Sequence, residues 1–233
     1  MQPTYFPWAG YFNLMHRVDA FVFLDDVQYE KGTWHNRNRV MVQGQAHWLT
    51  VPAPRAFLGQ AIREVEIPGE HWRRKHLRLL EQAYARHPYA AQMLAAAAPL
   101  NDHGIDRLGE LNIRIISALA RALGISTRLL RASELGIEGG RTERLVRICE
   151  RLECDEYLSP PGSADYLAED GFTRQAAVRL SFNEYVPAPY PQAGAQAFIS
   201  HLSMLDVIAN VGLEQAAAYA CNGRELPLST ESA

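Results

Sequence analysis

Residues 20 to 40 read AFVFLDDVQYEKGTWHNRNRV. The opening AFVFL is short, apolar and rich in β-branched and aromatic types, so it reads as a buried strand that ends at the acid pair Asp25 and Asp26. Gln28, Lys31, His35, Asn36, Arg37, Asn38 and Arg39 then follow in quick succession. In open α/β sheets, ligands bind beyond the carboxyl ends of strands. Polar groups crowded directly after a buried strand therefore mark a candidate site. If HNRNR is extended, His35, Arg37 and Arg39 share one face, while Asn36 and Asn38 share the other. The plainer alternative is a charged hairpin surface with scattered, weak salt bridges.

The same alternation of strands and helices extends outward from this stretch. Residues 13–19 read as a short helix ahead of the strand. Residues 39–51 read as a hairpin, with arms at 39–42 and 48–51, Gly44 and Gln45 in the turn, and Pro52 and Pro54 beyond. AIREVEIP, residues 61–68, alternates as a strand would. Residues 70–86 form an amphipathic helix that Pro88 breaks. Leu108, Leu111, Ile115, Leu119 and Leu123 mark a long helix stopped by Gly124. STRLLRAS and DEYLS read as strands, with a helix from Thr142 to about Leu152 between them. A shorter helix follows at SADYLAEDGF, then a strand at 177–185 and a last helix in AFISHLSMLDVIANVG with Gly212 beyond. Strands that repeatedly precede helices predict an α/β fold. The expected form is a mostly parallel, Rossmann-like sheet flanked by helices, with a hairpin excursion. Residues 1–213 are expected to form a single domain, with a helical subdomain at 70–123 and a loosely attached tail at 214–233.

Composition narrows the function. The 233 residues carry a formal charge of −3, which speaks against nucleic-acid binding through bulk charge and leaves room for a local phosphate pocket. Cys149, Cys154 and Cys221 have neither the spacing of a closed zinc site nor that of a disulfide scaffold. No basic segment precedes an apolar core at the start, and no apolar run has bilayer length, so the cytoplasm is the expected compartment and membrane insertion is not. MQP opens on a turn-like motif with no strand ahead of it. This raises the expectation that Met1 ends a strand beginning earlier. There is no P-loop, no G-x-G-x-x-G and no G-x-S-x-G.

The residue types suggest roles. Arg37 and Arg39 offer planar donor forks for a phosphate or carboxylate, and Lys31 a mobile charge. Asp25 or Asp26 can orient an amine, act as a base or hold Mg²⁺ beside a nucleotide. His35 can carry a proton near neutral pH. Tyr5, Trp8 and Tyr11 can wall a pocket for a sugar or base, with Gln2 giving a directional contact. The alternative for that segment is a hydrophobic anchor. Ser159 and Gly162 follow DEYLS, and Tyr190 and Gln192 follow the strand at 177–185. By the same strand-end rule, both pairs are candidate substrate contacts. Asp206 is either an inward carboxylate or a member of a helix hydrogen-bond network. The basic run at residues 73–78 reads as a solvated helix face.

QPTYFPWAGYFNLMHRVDAFVFLDDVQYEKGTWHNRNRV, HWLTVP, HWRRKHLRLLEQAY, TERLVRICERLECDEYLSPPGSADYL, Pro191–Gln192 and FISHLSMLDVIANVG together resemble the WbqC-like protein family over roughly residues 1–213. The resemblance implies a role in bacterial surface-polysaccharide synthesis, notably of O-antigen. It also implies a short apolar strand ahead of the Gln-Pro motif. Pro160 stands after Ser159 where the family commonly has Gly. The segment PTYFPWAGY is more remotely similar to nucleotidyltransferases of the HIGH-motif class, with Trp8 and Tyr11 where paired histidines are expected. Three functions follow as expectations. One is a transferase that moves an acyl or aminoacyl group onto a nucleotide-linked amino sugar. Another is a Mg²⁺-dependent nucleotidyltransferase. The last is a non-catalytic sugar-nucleotide-binding or assembly protein. All three take a phosphate-bearing small molecule as partner, and none sets an oligomeric state.

Overall fold

The first strand of that opening stretch is β1 (Ala20–Phe23), and it pairs in parallel with β4 (Arg128–Arg131). In this computed structural model, which describes residues 1–175 and 177–222, the other strands form two further pairs. β2 (Arg37–Val42) and β3 (Gln45–Thr50) make an antiparallel hairpin, and β5 (Glu156–Ser159) and β6 (Arg179–Phe182) a parallel pair. The fold is therefore α/β with small parallel and antiparallel sheets. The expected continuous Rossmann-like sheet is replaced by three two-stranded sheets.

β1 follows α1 (Ala9–His16), which starts earlier than its sequence signal because Trp8 is extended and only then does the chain coil. Gly10 is required there. The Trp8 indole folds back so closely that a Cβ at position 10 would lie 2.3 Å from it. The hairpin turns at Gln43 and Gly44, both with positive φ. AIREVEIP forms no strand. It holds one short 3-10 turn at Ile62–Glu64, tied to the end of β1 by Arg63 N donating to Asp25 O. Ile62, Val65 and Ile67 are all buried. They lie at steps of three and two along a segment that meets residues 106–108 through a single bridge between Glu66 and Arg107, without a longer ladder.

Helices α2 (His71–Tyr84), α3 (Ala90–Ala96) and α4 (Leu108–Ala122) follow. α4 ends where Gly124 turns left-handed at φ 71°. Between β4 and β6 lie α5 (Ala132–Leu135), α6 (Arg141–Arg151), α7 (Ala164–Glu169) and α8 (Phe172–Gln175). The last helix, α9 (Met204–Asn222), runs past its expected stop. Gly212 breaks its regularity at φ 78° without ending it, and a side chain there would meet the Tyr89 ring. Residues 214–222 of the expected tail are thus helical, with Ala216, Tyr219 and Ala220 buried. Residues 223–233 lie outside the described part.

The main core unites the N-terminal segment, β1, the hairpin, α2–α4 and α9; Tyr5, Phe12, Phe23, Leu80, Leu119 and Leu205 are all within it. A smaller core gathers Leu145, Val146, Cys149, Leu167 and Phe172 beneath α6–α8. Between β1 and β5 lies a cleft of about 830 Å³. Met1 sits at one end of it: its amino group donates to Val22 O and its carbonyl accepts from Leu24 N. β4 uses the opposite edge of β1, since Arg128 N donates to Asp19 O. No helix among the described residues is long and apolar enough to cross a membrane.

Candidate ligand-binding site

Pairing in the hairpin sets the site. Arg39 stands opposite Trp48, Arg37 opposite Thr50 and Asn38 opposite Leu49, and directly opposed side chains share a face. Asn38 and Leu49 face the core and Arg37, Arg39 and Trp48 face outward. Buried asparagines lock this arrangement. Asn38 Nδ2 donates to Phe6 O at 2.8 Å, and Asn36 Nδ2 to Val51 O at 2.9 Å. From α4, Asn112 Nδ2 donates to Pro3 O and to His35 O. These buried Nδ2 donors fix backbone geometry, because leaving a carbonyl partner unpaired costs about 1–3 kcal/mol. The N-terminal loop, the hairpin and α4 are thus joined into one frame.

On the outer face, Trp34 and Trp48 are 44% and 40% exposed, with ring centroids 5.5 Å apart. The Arg37 guanidinium lies 4.3 Å over Trp48. Arg39 lies about 6 Å from both indoles and donates to Ser200 O at 3.2 Å. Neither arginine forms an ion pair among the described residues, and the Nε of each is buried without an acceptor. Two neighbouring cations with no carboxylate between them form an electrostatically incomplete surface. Planar guanidiniums beside exposed indoles suit a ligand with both an anionic group and a flat ring.

The rim continues through Trp8, whose ring packs 4.4 Å from His201 and 5.5 Å from Tyr185. His201 holds φ 59°, an uncommon value for a residue with a side chain. Its pKa is lowered, first by burial and then by the charge of Arg39, so the ring is neutral at pH 7. Trp34, Trp48 and His201 are absent from the sequence-based set. Trp48 is set against Arg39 by a turn at Gln43 and Gly44, one residue earlier than expected from the sequence, and Trp34 precedes the paired residues. His201 had no sequence signal, because only tertiary packing brings residue 201 to residue 8.

The remaining sequence candidates fall elsewhere. Asp25 is 2% exposed and caps α5: its carboxylate accepts from Ser133 N at 3.0 Å and Ser133 Oγ at 2.7 Å. Asp26 pairs with Arg144 of α6. Neither acid is bonded to Arg37 or Arg39. His35 is buried, accepts from Glu30 N on Nδ1, and has its pKa lowered by that burial. Lys31 is exposed in the turn before the hairpin. Tyr5 and Tyr11 are core residues: the Tyr5 hydroxyl meets His76 Nδ1 at 2.8 Å, and that of Tyr11 donates to Gln2 O.

Gln2 and Gly162 line the cleft beside β1. Ser159 is buried behind it, with its Oγ 2.5 Å from Ser163 Oγ. The walls of this cleft come from β1 and β5 together with residues of α1, α6 and α7. Tyr190 donates to the fully buried Asp206, as does Tyr84 from the other side. Burial raises the Asp206 pKa against the pull of these donors. Gln192 clamps Ile199 through both ends of its amide. The predicted set is therefore scattered. Arg37 and Arg39, with Trp8 at their rim, share the outer face. Among the described residues, no three His, Cys, Asp or Glu side chains are grouped to hold a metal ion.

These features define an α/β protein with an exposed arginine–tryptophan face. The WbqC-like protein family matches residues 2–218, and the chain belongs to that family. The uncharacterised protein Rv1507c of Mycobacterium tuberculosis is 36% identical to it over 217 residues, covering 92% of this chain and 93% of the relative. No solved structure matches the chain.

Proposed function

We propose that this protein is a transferase acting on a phosphate-bearing small molecule, with a nucleotide-linked amino sugar in surface-polysaccharide synthesis as its substrate class. The observation that carries this reading is the uncompensated Arg37–Arg39 pair beside the exposed indoles of Trp34 and Trp48. The guanidiniums hold the phosphates and an indole stacks on the base or sugar. Membership of the WbqC-like family supports the biosynthetic setting. In the transfer, the sugar amine attacks the carbonyl of an acyl or aminoacyl donor, the donor's leaving group departs, and the amine loses a proton. His201 is the neutral titratable group on this rim and accepts that proton.

The test is a thermal-shift and mass-spectrometric screen of nucleotides and nucleotide sugars, with and without acyl donors. Repeating it with Mg²⁺ and with a chelator tests for a metal held by Asp25 or Asp26. Separate Arg37→Ala and Arg39→Ala changes are expected to weaken binding about tenfold or more while the melting temperature without ligand stays near that of the parent. His201→Gln is expected to keep binding and lose turnover. Binding that survives both arginine changes would exclude this face. Binding with no product from any donor would make the protein a binder.

A further inference from the structure

A second concave surface lies on the other side of Trp48. The groove between β3 and α2 has a volume of about 950 Å³, within the range of small-molecule sites. One wall is β3, with His47, Trp48 and Thr50. The other is a single stripe of α2, formed by His71, Arg74, Lys75 and Arg78 at the three- and four-residue steps that align on a helix. No carboxylate lines the groove. Arg74 has a neighbour in Glu70 at 3.3 Å; Lys75 and Arg78 have no ion pair among the described residues. Like charges at these spacings destabilise a helix, so the stripe carries a local cost that solvation of the face alone does not require.

The floor of the groove is built as well. His76 lies there, 7% exposed, with Nδ1 held by the buried Tyr5 hydroxyl. Burial, together with the charge of Lys75, lowers its pKa to about 4. It therefore adds a rigid neutral ring and no charge. Trp48 stands on the border: one face of its indole is covered by Arg37, and its edge reaches the groove.

We propose that the groove between β3 and α2 is a binding site for a small phosphorylated ligand bearing a flat ring. Lys75 and Arg78 hold the phosphates and Trp48 packs against the ring. The site shares Trp48 with the Arg37–Arg39 face, but its cations are separate residues, and it does not depend on transferase chemistry.

The test titrates the full chain with ADP and with pyrophosphate, followed by calorimetry and tryptophan fluorescence, with sulfate at matched ionic strength as control. The Lys75→Gln/Arg78→Gln double variant changes only exposed side chains and should keep the parent melting temperature. It is expected to weaken both ligands at least tenfold at one site, while Arg37→Ala/Arg39→Ala leaves pyrophosphate binding there unchanged, because Lys75 and Arg78 are untouched. Trp48→Ala should weaken ADP more than pyrophosphate. Unchanged binding in the double glutamine variant, or sulfate competing as well as pyrophosphate, would overturn the proposal. A single-stranded oligonucleotide binding the groove tenfold more tightly than ADP would also overturn it, in favour of a nucleic-acid surface. Should the glutamine variant melt early, Lys75→Met and Arg78→Met made singly give the same readout, and retained affinity in both would reject the site.

Discussion

His76 shows how a polar residue on a helix face can serve the interior. Its neighbours Arg74 and Lys75 are exposed, yet its own ring is buried against Tyr5 and Trp72. Its pKa in the folded chain is about 4, against roughly 6.5 when unfolded. Between those values the unfolded chain takes up a proton that the folded chain refuses. Stability therefore falls as pH drops from about 6.5 towards 4, by up to about 3 kcal/mol, and this contribution is constant below that range. His76→Gln is expected to flatten this part of the pH dependence. Urea midpoints of both proteins at pH 7 and pH 4.5 measure it, and parallel changes in the two would remove His76 as the cause. The four-residue steps from Trp72 through His76 to Leu80 and Tyr84 put this histidine on the buried stripe of α2 and leave His71 exposed; the spacing does not show that Tyr5 is the partner of its ring.

Among the elements, β1 and α5 give the sharpest contrast between a residue's chemical type and its use. The acid pair after AFVFL marks the end of a strand, as its composition predicts. Yet Asp25 turns inward to cap a helix more than a hundred residues later in the chain. An N-terminal cap of this kind typically contributes about 1 kcal/mol. Asp25→Asn retains an acceptor for Ser133 N, so the variant is expected to lose about 1 kcal/mol or less and to keep ligand binding and any turnover within a few-fold. A fall of a hundredfold or more in turnover, with the fold intact, would restore Asp25 as a base. AIREVEIP illustrates the reverse case. Val65 and Ile67 are buried at a two-residue step and Ile62 three residues earlier, and the segment's backbone bonds to Asp106 and Leu108 only across the single bridge between Glu66 and Arg107. Local alternation does not report how far a partner backbone runs alongside, and here it does so only at isolated bridges.

For the whole molecule, the two cores differ greatly in extent. The larger binds the N-terminal loop, hairpin and five of the longer helices' faces together; the smaller rests on a handful of side chains under α6–α8. Local opening is easier where few apolar groups are buried. Hydrogen exchange in α6 is therefore expected to be faster than in α4, although both are regular helices. Mass spectrometry of exchanged peptides tests this, and equal protection would show that the two cores unfold as one. The α/β class, the hairpin, the strong helices and the arginines of HNRNR were all legible in the sequence, because hydrophobic period and side-chain chemistry act over a few residues. The division of the expected Rossmann-like sheet into separate strand pairs was not legible, nor were the burial of Asp25 and His35, the approach of His201 to Trp8 and the facing of α2 towards β3. Those depend on how distant segments pack, and the same local pattern is compatible with many such packings until the core selects one.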